Sequence, residues 1–169
     1  LIGTLVLAGG VVIQSLYAFL LTSQNLRARG RERYAVTKRQ EGVSWASKNM
    51  FILGVIIIGF LVLHLFQFWA KMQLVEITHC GDLDKATDGA YWIQYYFSKP
   101  WIAITYMICF VALWFHLTHG VWSALHSLGL NNKTWLPRLK MVSNVVATIV
   151  VLMFMAVPAY YLIINAFGL

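Results

Sequence analysis

Four stretches of the chain, 1–26, 49–70, 100–132 and 141–169, contain no Asp, Glu, Lys or Arg. Each exceeds the roughly 20 residues with which an α-helix crosses about 30 Å of hydrocarbon. Polar punctuation around them predicts four spans, at about 1–24, 48–70, 100–128 and 138–166. Ser44 or Ser47 is a suitable cap for the second. Pro100 suits the first position of the third, and Gly129 is a natural stop for it. Pro158 lies inside the fourth, where it is expected to kink the helix unless neighbours pack around it. Trp45, Trp69, Trp92, Trp101 and Trp135 fall near the predicted ends, as aromatic belts do. Between the second and third spans, "ATDGAYWIQYYFSKP" predicts a short helix lying on the membrane surface. The expected fold is therefore all-α, an integral membrane up-and-down helical bundle forming a single domain over 1–169.

Composition strengthens this reading. Of 169 residues, 60% are hydrophobic and 11% charged, under half the charge of an ordinary soluble domain. Four fully buried helices in water would need a larger polar shell than this chain owns. The net charge of +7 raises the question of nucleic acid, and its distribution answers it. Segments 27–48 and 128–140 carry +5 and +3, whereas 71–99 carries −1. Alternation of sign between successive loops follows the positive-inside rule, with the basic loops cytoplasmic. Arg27, Arg29, Arg31 and Arg33 are then topology determinants, and no nucleic-acid partner is expected. Cys80 and Cys109 define neither a disulfide framework nor a metal motif. Leu1 is not a methionine and already sits in an apolar run, which predicts that the chain begins within a longer protein.

The chemistry lies in the few polar residues inside the spans: Gln14, His64, Gln67, His116, His119, His126, Asn144 and Asn165. Polar side chains at such depth are candidate functional groups because no water satisfies them. None of the four stretches carries an acid, which argues against a proton pump built on an intramembrane carboxylate. Neutral imidazoles in a dry aromatic setting are what haem iron takes as axial ligands. His64 is placed in the outer half of its span and His116 in the middle or inner half, so the two would not share one iron. His116 and Gly120, four residues apart, share a helix face, and the glycine lets a flat macrocycle approach the backbone. His119 is expected to hydrogen-bond a neighbouring helix or a propionate, and His126 and His79 to meet water near either surface. Gln67 is expected to bond a backbone carbonyl, with a propionate or quinone as the alternative. The stripe of Trp114, Phe115 and Trp122 suits a haem wall or plain lipid-facing packing.

"FHLTHGVWSALHSLG" and "ASKNMFILGVIIIGFLVLHLFQFW", with "VVIQSLYAFLLTSQNLRARGRERYAV" and "NNKTWLPRLKMVSN", resemble the cytochrome b membrane-anchor subunit of succinate dehydrogenase and fumarate reductase. The similarity is to the five-helix, di-haem type, in its Bacteroidetes-like branch, and runs over nearly the whole chain. It implies a further helix before Leu1, so that the four spans correspond to the family's second to fifth. It implies a multi-pass protein of the bacterial inner (cytoplasmic) membrane. The cofactors implied are haem b, one or two, and a quinone, with menaquinone expected. The partners implied are iron–sulfur and flavoprotein subunits on the cytoplasmic side, which would hold the dicarboxylate chemistry. By position, His116 in its His-x-x-x-Gly setting corresponds to a proximal haem-iron ligand and His64 to a distal one, its opposite ligand lying on the further helix.

Three departures accompany the resemblance. Gln14 stands where the family has its second proximal histidine, and a glutamine is a poor ligand for haem iron. Trp114 stands where an acid would precede His116. Trp122 and Ser123 stand where relatives carry a basic residue. Two other readings follow from the same residues: a haem-poor or haem-free quinone-binding anchor, and a haem-free structural or transport bundle whose histidines only tie helices together.

Overall fold

The computed structural model describes residues 2–29, 44–129 and 132–168. Every regular element among them is helical, and four helices are long and apolar enough to cross a membrane. The chain is thus a multi-pass, all-α membrane protein. It divides into two units, Leu1–Ser44 and Trp45–Leu169, taken separately below.

Of the first unit the structure describes one helix, α1 (Ile2–Arg29), with Gln14 near its middle. Its polar residues turn inward on the backbone where they can. The Ser15 hydroxyl donates to the Val11 carbonyl at 2.7 Å, the local bond that lets a serine sit in an apolar helix.

The second unit is built around three long helices. A four-residue turn, α2 (Trp45–Lys48), leads through Asn49 into α3 (Met50–His64). The helix then widens into a π-helical turn, Leu65–Trp69, closed by the Ala70 amide donating to the Leu65 carbonyl at 2.7 Å. Three short helices follow: α4 (Gln73–Thr78), α5 (Leu83–Ala86) and α6 (Gly89–Phe97). Aspartates cap two of them. Asp82 accepts from the Lys85 amide and Asp88 from the Tyr91 amide, at 3.2 and 3.0 Å, satisfying donors that a helix start leaves unpaired. Hydrogen bonding from Lys85, with an ion pair at 2.8 Å, holds the Asp82 carboxyl below its ordinary range. The chain re-enters the apolar layer through α7 (Pro100–Ser127) and α8 (Trp135–Phe167).

Pro100 occupies the start of α7, after an extended Lys99. Gly129, at φ +87°, follows its last turn, the left-handed conformation that ends a helix at little cost. Helix α8 runs without interruption through Pro158, which is among the most buried residues of the protein. Packing around the ring thus compensates the bond that Pro158 cannot make to the Phe154 carbonyl.

Helices α3, α7 and α8 alternate in direction, with α7 central. Phe60 meets Tyr106 and Phe110, whereas Leu53 meets Ala112 and Trp45 meets Phe115. Likewise Phe110 stacks on Phe154, and Phe97 reaches Tyr161. Ser143, Ala147 and Val151, each four residues from the next, form the buried stripe of α8. Small residues there let two backbones approach closely, which drives helix association in lipid. The outward faces are apolar instead: Ile52, Val55, Ile108 and Met153 are all more than half exposed. That inversion suits a hydrocarbon solvent and would be a liability in water.

The aromatic helix α6 is not confined to the surface. Its last residue, Phe97, is buried against Phe68, Tyr106 and Tyr161, and Asn165 of α8 donates to the Phe97 carbonyl at 3.1 Å. The outer segment is therefore fastened to the core at its C-terminal end.

Candidate functional site

The histidines of the second unit occupy separate levels. His64 ends α3 and sits among Phe60, Phe68 and Tyr106, with ring centroids 6.1, 5.1 and 6.3 Å away. His116 lies ten residues beyond Tyr106 on α7, about 15 Å further along at 1.5 Å per residue. The expectation that the two could not share one iron therefore agrees with the packing.

At the inner level, a Cβ placed on Gly120 would lie 3.4 Å from Met50 Cε and 4.0 Å from His116 Cδ2. Both are ordinary contacts, so helix packing within this unit does not itself demand glycine. Glycine inside a helix costs about 1 kcal/mol relative to alanine, and here the flexible end of Met50 lies over it, beside the His116 ring. The Nδ1 atoms of His116 and His119 are buried and lack a hydrogen-bond partner among the described residues. A neutral imidazole has one donor and one acceptor, and leaving either unmet in an apolar layer costs about 1–3 kcal/mol. Neither ring is a satisfied core histidine.

Trp122 edges His119 at 5.1 Å and His126 at 6.4 Å between ring centroids. Lys140 of α8 places its ammonium 4.1 Å from the centroid of the Trp122 ring, a favourable cation–π contact. The sequence near His116 carries no basic residue after the glycine, yet the fold supplies one from the neighbouring helix. Arg138 rests over Trp135 in a similar way.

Trp114 and Phe115 meet edge-on with ring centroids 4.9 Å apart, whereas Trp122 edges His119 and His126. Trp114 Nε1 donates to Thr148 Oγ1 on α8 at 2.9 Å. That hydroxyl in turn donates to the Asn144 carbonyl at 2.7 Å. Phe115 also packs beside Trp45. Thr148→Val keeps the side-chain shape and deletes the acceptor, stranding the indole between two helices. A loss of about 1–3 kcal/mol is expected, read as a lower thermal midpoint of the detergent-solubilised protein.

At the outer level the structure departs from the expectation for Gln67. The bond the structure gives it is to a side chain and not to the backbone: its amide oxygen accepts from the Tyr106 hydroxyl at 2.8 Å. Both residues are buried. The glutamine lies in the π-helical turn, and such turns recur at functional sites. Trp69, expected in an interfacial belt, closes the same turn with its indole nitrogen buried and unpaired among the described residues. Nothing in the sequence marks the widened turn, and Tyr106 is thirty-nine residues from its partner.

Gln14 lies on α1, in the other unit. Among the described residues no group of three or more His, Cys, Asp or Glu is placed to hold a metal ion. A bare ion of the zinc type needs at least three protein ligands. A macrocycle brings its own and asks only for axial ones, so solitary histidines suit the second and not the first. Compared with known proteins, the chain matches no family, no curated sequence and no solved structure.

Proposed function

We propose that the chain is the cytochrome b membrane anchor of a succinate:quinone or quinol:fumarate oxidoreductase. It would conduct electrons between a membrane quinone, menaquinone by resemblance, and an iron–sulfur subunit docked with its flavoprotein at the cytoplasmic helix ends. The flavin and dicarboxylate chemistry belongs to those partners. The membrane is the bacterial cytoplasmic membrane, its inner side marked by the basic loops.

One observation carries the reading: His116 is held in the apolar layer, near Gly120, with a buried nitrogen that has no partner among the described residues. The residues fit a b haem in donor chemistry, each level supplying one imidazole from the second unit. When bound, haem b supplies reversible one-electron transfer. His116 and His64 would each give iron one imidazole nitrogen, and beside the first only the flexible end of Met50 covers Gly120. His116 is half-buried and His64, beside Phe60, Phe68 and Tyr106, is exposed within this unit; the surrounding hydrocarbon, rather than this unit alone, would keep the dielectric low around both, one of the factors that set a haem potential. Lys140, seated on Trp122, provides a cation for acidic groups at the inner end. His119, with its own unmet nitrogen, is a hydrogen-bond donor for the same groups.

Gln14 favours a second reading, an anchor that keeps the fold and the quinone site with one haem or none. A pyridine haemochrome assay on the purified complex decides between them. Two b haems per chain are expected if another ligand replaces Gln14, and one if the proximal site is lost. None would sink the cytochrome reading and leave a haem-free anchor or scaffold.

A further inference from the structure

Gln67 and Tyr106 have no part in the reading above, yet they form a buried side-chain bond between α3 and α7. Three facts about them converge. First, the bond lies in a layer without water, where an amide or a phenol alone is costly, so each holds the other in place. Second, Gln67 belongs to the π-helical turn that begins directly after His64. A π turn carries one more residue than the α-helix would use, so its survival needs an anchor; rewinding would rotate Gln67 away from α7. Third, the Tyr106 ring is itself fixed. It is 2% exposed and meets Phe60, Phe97 and Phe110 edge-on, with centroids 5.0, 5.0 and 6.1 Å away. The same ring stands 6.3 Å from that of His64.

We infer that the Tyr106–Gln67 hydrogen bond is a positioning device for His64: it pins the widened turn to α7 and thereby fixes where the imidazole ending α3 points. The inference rests on His64 being an axial ligand. Tyr106 and Gln67 touch neither iron nor substrate in this scheme; they act through the turn. An axial ligand must hold its angle to keep iron six-coordinate, and one at the last α-helical residue before a wider turn depends on that turn's register.

The experiment uses the whole complex and two single variants, Tyr106→Phe and Gln67→Leu, with the double variant. Phenylalanine retains the ring contacts, so only the hydroxyl is removed. The readouts are haem per chain and the absorbance change with carbon monoxide, which binds reduced haem iron only where an axial ligand is displaced. Wild type is expected to be inert. Each single variant is expected to retain haem and to make one haem equivalent reactive, and the double variant is expected to match the singles, since one bond is lost in all three. His116→Ala in the same background keeps the effect if it belongs to His64. Haem retained and inert in both single variants overturns the inference while leaving the cytochrome reading intact. Wild-type complex without b haem overturns the reading, and the inference with it. If instead both variants lower the thermal midpoint equally but leave carbon monoxide binding untouched, the bond only braces the fold, and the positioning role is again overturned.

Discussion

His116→Ala is expected to remove one b-haem equivalent per chain from the purified complex, with the outer haem and the assembled subunits left in place. The ring is only partly buried, and its Nδ1 bonds to no described residue, so the bundle gives up little packing and no internal hydrogen bond. On the proposed reading iron would lose a protein ligand, and no described residue nearby is placed to replace it: His119 is three residues on, rotated around α7 and edge-on to Trp122. The check is the reduced-minus-oxidised spectrum normalised to protein, beside His126→Ala as a control at the inner surface, which is expected to leave the spectrum unchanged. An unaltered spectrum in His116→Ala would remove this residue from the ligand set. A complex that fails to assemble, with no chromophore in wild type, would favour the haem-free structural reading.

The second large effect concerns the fold alone. Tyr106→Ala is expected to destabilise the second unit by about 3–5 kcal/mol, the range for deleting a large buried ring. Tyr106 lies at the meeting point of α3, α6 and α7, in contact with Phe60, Phe68, Phe97 and Phe110. In lipid the loss is mainly one of dispersion contacts, because the tails outside are as apolar as the rings inside. The truncation also leaves Gln67 buried without its donor. Unfolding in detergent micelles measures the effect, with Tyr106→Phe beside it isolating the hydroxyl. Because α6 is held through Phe97, protease sensitivity between α4 and α6 is expected to rise in Tyr106→Ala and to change little in the phenylalanine variant. An alanine variant as stable as wild type would show that the aromatic cluster is not the core of this unit.

What could be read along the chain is what depends on neighbours in sequence. The four spans followed from runs free of charge, since an ionised group at such depth is costly wherever the helix sits. Pro100 and Gly129 marked the ends of α7 because helix termini are local hydrogen-bonding problems. Depth also was legible: counting residues from Lys48 and Pro100 put His64 and His116 at different levels, as the packing has them.

Partners were not legible. Gln67 meets Tyr106, Trp114 meets Thr148, Asn165 meets the Phe97 carbonyl, and Lys140 covers Trp122; each pair joins separate elements. An α-helix satisfies its own backbone bonds, so it carries no register that would select a neighbour as a strand edge does. In a soluble helix the polar face would point the other way from the core, but here both faces are apolar and that signal vanishes. The π turn at Leu65–Trp69 was hidden for a related reason. Its residues suit an α-helix equally well, and the contacts that accompany the wider turn, the Gln67 bond and the Phe68 ring against Tyr106, reach across to α7. Sequence by itself thus determined that this protein is a set of membrane helices carrying imidazoles at defined depths. Tertiary structure decided which side chains answer one another across the helices, because those bonds arise between segments distant in sequence whose positions only packing brings together.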